Sequence, residues 1–392
     1  MAGQRLRHWV RQVHLWMGLS LGLLFVLLGL TGSALVFYQS IDRWLHPEIQ
    51  VASSGPAPDA QSPVWDRGLE TLRTQWPERQ GVWRFELTGE AGAIPVRYEA
   101  GGQTQGHSMA HRVMVWLSPD GRHVLRQEVW GGYLVTWLYD LHMELLGGDT
   151  GRAFVGWGGL AIFLLVMVTG LWAWWPKGGW GKALRYAHGA ALIRRLRDMH
   201  KLAGLLGLPL LAILVLTGVM LALPEESNAV LRPMFGPVDP APKVAIPANT
   251  APRLTIMQAA ALAQKALPSA RIVWIDAPAM GQGVYKFRMK VPADPSARFP
   301  HSFVFIDPVS GRIVGLQDAQ QAGATTTINN WLHSLHDASV LGLFTRWLAV
   351  VSGLVPAFLF VTGLWRWLAR RQQKSKAEAP VPRHGAPRGS AP

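Results

Sequence analysis

The sequence predicts an α-helical integral membrane four-helix bundle, internally duplicated, that carries two small α+β lobes outside the membrane. Three observations predict it. Four runs contain no charged residue: Leu15 to Ile41, Ala153 to Trp175, Leu202 to Leu223 and Trp347 to Trp365. Each is close to the ~20 residues that cross a bilayer as helix. The chain also repeats its own words. Trp137-Leu138-Tyr139-Asp140-Leu141-His142 returns as Trp331-Leu332-His333-Ser334-Leu335-His336, and each copy leads to Thr-Gly-Leu-Trp, at Thr169 and at Thr362. Finally, charge is sorted by segment. Residues 1–14, 176–201 and 366–392 carry 17 Lys/Arg against 2 Asp/Glu, whereas 42–152 and 224–346 carry 21 against 22.

That sorting decides what the formal charge of +14 means. A nucleic-acid binder would concentrate its basic residues on a soluble face. Here the excess lies on one side of the four apolar runs, which by the positive-inside rule places both termini in the cytoplasm. The expected partner is therefore the lipid bilayer, with no nucleic acid. Nineteen Trp suit a membrane–water interface. The absence of Cys excludes disulfides, thiolate-ligated zinc, iron–sulfur clusters and covalent C-x-x-C-H haem.

The first element comprises residues 1–41, a cytoplasmic N-terminus and span 1. Arg5, Arg7 and Arg11 precede the apolar run as in a signal peptide. The run is too long for a signal core, however, and no small-x-small cleavage site follows, so it reads as an uncleaved anchor. Residues 42–152 form the first outer lobe and an interfacial helix. They contain a Pro/Ala/Ser-rich linker at 51–62, a helix from Trp65 to Trp76 with Leu69 and Leu72 at helical spacing, and strands at 81–87, 94–99 and 111–118. Ser118-Pro119-Asp120-Gly121 signals a turn. Span 2 (153–175), a cytoplasmic loop (176–201) and span 3 (202–223) follow.

Residues 224–346 repeat the lobe plan. Thr255 caps an Ala-rich helix over 254–267, followed by strands at 271–275, 284–289, 302–306 and 313–315. Span 4 (347–367) and a basic tail (368–392), expected to be disordered, complete the chain. An offset of 186 residues overlays His14 on His200, Gly18 on Gly204 and Thr31-Gly32 on Thr217-Gly218, and an offset of 193 matches spans 2 and 4. Gly18 and Gly32 share a helical face with His14, which leaves room for something flat or for a neighbouring backbone. Small-residue helix packing explains such glycines equally well. It does not explain why spans 1 and 3 both open with His.

Together these pieces resemble the PepSY-associated transmembrane family. The lobe that ends in Phe305-Ile306-Asp307-Pro308-Val309-Ser310-Gly311 is similar to a PepSY domain. The two Leu-His segments leading to Thr-Gly-Leu-Trp resemble the family's membrane signature. Within the family, length and span count most resemble bacterial inner-membrane ferric-siderophore reductases of the ferrioxamine type. The resemblance implies two non-covalent b-type haems and iron release in the periplasm.

Haem b takes two axial imidazoles in an apolar bundle. His14 and His200 would form one pair near the cytoplasmic face, and His142 and His336 one near the outer face. His333, on the same helical face as His336, is a rival outer ligand; its repeat partner is Tyr139, which cannot replace an imidazole. His46, His111 and His188 lack repeat partners. No dinucleotide fingerprint, flavin domain, H-E-x-x-H motif or Ser/His/Asp arrangement is evident. The expectation is a haem-dependent ferric-siderophore reductase of the bacterial inner membrane. Its electrons would come from an unidentified donor, a quinol or a cytoplasmic reductase. Two rivals stand beside it: a haem b subunit serving another periplasmic acceptor such as copper, and a haem-free PepSY scaffold or regulator.

Overall fold

The computed structural model describes residues 2–51, 55–100, 112–176, 178–244 and 253–378. Four of its helices are long and apolar enough to cross a membrane: α1 (Ala2–Leu35), α5 (Gly148–Trp174), α6 (Leu192–Ala222) and α10 (Leu343–Glu378). They close into a ring in which α1 packs on α10, α10 on α6, α6 on α5 and α5 on α1. Phe25, Ile162, Met167 and Leu211 fill part of its interior. The outward surface is apolar, with Leu206 at 81% exposure. In water such a belt would be a large unpaired patch; against lipid it is the expected surface. Arg152 on α5 donates to the Leu221 carbonyl at 3.0 Å, and Arg346 on α10 donates to the Val36 carbonyl. Each guanidinium thus satisfies a carbonyl at the C-terminal end of a helix of the opposite repeat.

The sheet overturns the expected fold class. A helical four-helix bundle with two small separate lobes is incorrect, because the strands of both repeats join in one eight-stranded antiparallel sheet, ordered β4-β3-β2-β1-β5-β6-β7-β8. The first repeat supplies β1 (Val82–Glu86), β2 (Ile94–Glu99), β3 (Val113–Leu117) and β4 (Val124–Val129). The second supplies β5 (Arg271–Ala277), β6 (Tyr285–Lys290), β7 (Ser302–Ile306) and β8 (Ile313–Gln317). The seam runs between the equivalent strands β1 and β5, with Trp83 opposite Ala277 and Phe85 opposite Ile275. Antiparallel pairing of equivalent strands is what a two-fold relation between repeats produces. It also removes the open strand edge that each lobe alone would leave.

Alternation along the strands gives this sheet two different faces. Trp83, Phe85, Val96, Val115, Phe287 and Val304 are fully buried against α3 (Val64–Gln75) and α8 (Ile256–Ala266). At about 1.5–3 kcal/mol for each large apolar side chain removed from water, this is the main stabilising core outside the membrane. The two helices are cross-tied. Thr255 caps α8 through Gln258, and Asp66 of α3 accepts from the backbone amides of Ile256 and Met257 at 2.6 and 3.2 Å. The other face carries Arg84, Arg97, Trp116, Arg126, Trp274 and Arg288. It looks onto α2 (Tyr38–Leu45), α4 (Leu134–Glu144) and α9 (Ala324–His336). Arg126 meets Asp42 there at 3.1 Å, Trp130 donates to Asp140 at 2.7 Å, and Phe299 lies 5.4 Å from His333. Helix α7 (Pro224–Phe235) follows span α6. Helix α10 continues through Glu378, into the segment expected to be a disordered tail, and residues 379–392 lie outside the described residues.

Candidate functional site

Four histidines meet as two pairs, one at each end of the ring of spans. His14 of α1 and His200 of α6 stand with ring centres 6.2 Å apart, near the end where Trp16 of α1 meets Trp367 of α10. At the sheet end, His142 of α4 and His336 of α9 stand 6.0 Å apart. Each pair joins one repeat to the other.

Every ring is held from within its own repeat, by a segment that ends in a Thr-Gly pair. His14 Nδ1 lies 3.0 Å from the Val166 carbonyl, His200 Nδ1 3.0 Å from that of Leu359, and His336 Nδ1 3.0 Å from that of Leu214. Each of these carbonyls sits three residues before a Thr-Gly pair. His142 Nδ1 lies 2.9 Å from Thr31 Oγ1 of the fourth such pair. The threonines are themselves anchored, each donating to the carbonyl four residues back: Thr31 to Leu27, Thr169 to Leu165, Thr217 to Ile213 and Thr362 to Phe358. A carbonyl acceptor at Nδ1 demands the proton there, so Nε2 is left as the nitrogen with a free lone pair. No hydrogen bond reaches any of the four Nε2 atoms among the described residues.

The glycine of each Thr-Gly pair makes room for the ring. A Cβ would come within 3.0 Å of the His142 ring at Gly32, 2.8 Å of His14 at Gly170, 2.9 Å of His336 at Gly218 and 3.4 Å of His200 at Gly363. One of the four grips is built differently. Residues Ile162–Val168, just before Thr169-Gly170, form a π-helical turn, and the Val166 carbonyl that receives His14 belongs to it. Such turns re-aim backbone groups and recur at functional sites.

The other candidates are not brought into these pairs. His333 turns toward the sheet, 5.4 Å from Phe299, and meets Asp337 at 3.4 Å, so His336 is the member of this segment that pairs with His142. Tyr139 packs edge-on against Trp130 at 5.4 Å. His46 sits between Asp42 and Glu48, and exposed His188 lies against Tyr186. His111 lies outside the described residues. Beside Gly18 a Cβ would meet nothing within 4 Å, and beside Gly204 it would touch Leu359 at an ordinary 3.6 Å. The described residues contain no group of three or more His, Cys, Asp or Glu placed to hold an ion.

A family model described as the PepSY-associated TM region matches residues 11–370. The chain belongs to that family. The match takes in all four spans and the sheet between them, and with the four apolar helices it makes this family member a membrane protein. No curated protein matches the chain. The site residues that sequence reasoning missed are Thr31, Thr169, Thr217 and Thr362 with the carbonyls before them. The signal was present: four Thr-Gly pairs stand against four repeated histidines.

Proposed function

We propose that the chain is a di-haem b protein of the bacterial inner membrane that carries electrons across it to an oxidised iron chelate. The observation that carries this reading is the pair of bis-imidazole sites. Two imidazole nitrogens that shared one metal ion at about 2 Å would bring their ring centres to about 6 Å, and the two pairs stand 6.2 and 6.0 Å apart. Nδ1 is engaged at all four rings and no hydrogen bond reaches Nε2 among the described residues, so Nε2 would be the nitrogen that holds a metal. Open space beside Gly18 suits the approach of a flat macrocycle. His14 and His200 would hold one haem, and His142 and His336 the other.

A bound haem supplies reversible one-electron storage; the chain supplies position and environment. The Thr-Gly grips fix ring orientation and tautomer. Phe25, Ile162, Met167 and Leu211 keep water from the interior between the sites. From His14 to Gly32, beside His142, α1 rises about 27 Å at 1.5 Å per residue, so two sites cover most of a hydrocarbon core about 30 Å thick. The bias of basic residues supports an orientation with both termini in the cytoplasm and the sheet in the periplasm. A quinol or a cytoplasmic reductase would deliver electrons singly at the His14/His200 end. A ferric siderophore meeting the His142/His336 end would be reduced to Fe(II), which hard oxygen donors hold less tightly.

The test is a dithionite-reduced minus oxidised spectrum of the detergent-purified protein, with pyridine extraction to count haem. Two b-type haems per chain are expected, falling to one in His14→Ala and in His336→Ala. A folded protein from haem-replete cells with no haem overturns the reading. Reoxidation of the reduced protein by ferric siderophores, against copper(II) as competitor, then reads the acceptor.

A further inference from the structure

Three guanidinium groups close on one stacked aromatic pair on the membrane-facing side of the sheet. Trp274 and Phe299 lie 5.7 Å apart at 13°. The guanidinium carbon of Arg97 stands 4.5 Å from the Trp274 ring, and those of Arg288 and Arg298 stand 5.6 and 5.1 Å from Phe299. Arg97 is only 9% exposed, its Nε is buried without a hydrogen-bond partner, and no ion pair reaches it among the described residues. Among the described residues Arg288 hydrogen-bonds only to the Pro300 carbonyl, through Nε. The carboxylate hydrogen-bonded within the group, Glu86, spends both oxygens on Arg298, at 2.5 and 2.7 Å.

We propose that Arg97 and Arg288, beside the Arg298–Glu86 pair, form a binding site for a small anionic, carboxylate-bearing metal chelate near the outer histidine pair. A buried guanidinium has five N–H donors to satisfy, and contact with an aromatic face offsets its desolvation without accepting a hydrogen bond. The same sheet face shows how this chain treats an arginine that needs no ligand. Arg84, one strand away, is filled by both oxygens of Asp276 at 2.7 and 2.8 Å and by Glu99 at 2.9 Å. Arg97 lies directly opposite Arg84 in the β1–β2 register; the charge of Glu86 acts on it, but no carboxylate hydrogen-bonds to it among the described residues.

Position supports the same conclusion. Phe299 touches His333, one helical turn before His336, so a chelate held on this cluster would sit next to the outer imidazoles. Arg288, Arg298 and Phe299 are half-buried and form the rim, with Arg97 as the floor. Carboxylate oxygens match the bidentate fork of a guanidinium, and a cationic chelate would be repelled by it. The inference deepens the reading above by naming the charge class of the acceptor. It rests on that reading for the acceptor's reduction, not for its binding.

Gallium(III) citrate is the probe, because it accepts no electron and so reports binding alone. It is titrated into the full-length, detergent-purified protein, with tryptophan fluorescence and calorimetry as readouts. Saturable binding is expected that weakens as salt is raised and weakens at least tenfold in Arg97→Gln and in Arg288→Gln. Arg97→Lys should retain more affinity than Arg97→Gln, and Arg122→Gln, at an exposed position, should bind as the parent does. If Arg97→Gln does not fold, half-buried Arg288→Gln carries the test. Absence of saturable binding, equal affinity across the variants, or equally tight binding of a cationic gallium trihydroxamate overturns the proposal. Intact gallium binding in a protein that fails to reduce ferric citrate would count against electron transfer and leave this site standing.

Discussion

His142 Nδ1 lies 2.9 Å from Thr31 Oγ1, across 111 residues of chain, and its ring packs where Gly32 has no side chain. The same grip recurs between His14 and Gly170, His336 and Gly218, and His200 and Gly363. Each grip is closed within one repeat, while each histidine pair is made between repeats. Orientation is therefore fixed locally, and the pairing depends on how the two halves dock.

The grips differ in tightness, and that difference is testable. At Gly170 an added Cβ would stand 2.8 Å from His14 Cε1, whereas at Gly363 it would stand 3.4 Å from His200 Cε1. Gly170→Ala is expected to destabilise the protein by about 1–3 kcal/mol and to displace His14, and Gly363→Ala to cost less than about 1 kcal/mol. Thermal unfolding in detergent reads the stability. Under the proposed function, the absorbance of a haem held by His14 and His200 would read the displacement. Equal losses in the two variants would show that the rings have slack the distances do not reveal.

The histidines and spans were legible because duplication writes them twice: a 186-residue offset aligns His14 with His200, and the Trp-Leu-x-x-Leu-His words align His142 with His336. What was hidden is of another kind. The seam between β1 and β5 depends on backbone groups that every residue possesses, so the alternation in Val82-Trp83-Arg84-Phe85 marks a strand without marking its neighbour. In the sequence the Thr-Gly pairs stand only as landmarks of the repeat or as helix-packing residues, because a carbonyl acceptor leaves no trace in residue type. The π turn at Ile162–Val168 sits in an unbroken apolar run with no Gly or Pro to announce it.

The seam makes its own prediction. Arg84 on β1 and Asp276 on β5 bond through two contacts, 2.7 and 2.8 Å, and hold the repeats together on the membrane-facing side. Asp276→Asn should cost about 3 kcal/mol, because it leaves Arg84 half-buried and short of charge. Adding Arg84→Met to it should restore part of that loss, so the two effects will not sum. A double-mutant cycle on the unfolding midpoint measures the coupling, and strict additivity would remove the pair from the account of the seam.

Acid sensitivity should trace in part to Asp294. Burial alone would raise its carboxyl, but hydrogen bonds from the His301 side chain and from the backbone amides of His301 and Ser296 hold it below the ordinary Asp value. The folded value is therefore lower than the unfolded one. That sign means its contribution is fully present above the unfolded value of about 4 and is lost as pH falls through the folded one. Asp294→Asn should lower stability near neutrality and flatten the fall in melting temperature below about pH 5. An unchanged acid profile would assign the sensitivity elsewhere.

The turn that leads from His142 into span α5 carries the last prediction. Leu145 and Leu146 take left-handed backbone conformations, with φ of 49° and 60°, which a side chain with a Cβ adopts at a cost of about 1–2 kcal/mol. Leu146 is half exposed, so little packing is lost on truncation. Leu146→Gly removes the steric strain and restores some freedom to the unfolded chain, for a net gain of about 0.5–1 kcal/mol. The same φ at Leu145 closes α4, where its amide bonds back to the Asp140 and Leu141 carbonyls and ends the helix one turn after His142. Leu146→Gly should thus raise the unfolding midpoint without moving the spectrum of the haem that, under the proposed function, His142 and His336 would hold. A stabilised protein whose spectrum also shifts would mean that the strained turn helps to aim His142, and that the strain is retained for the site rather than tolerated by the fold.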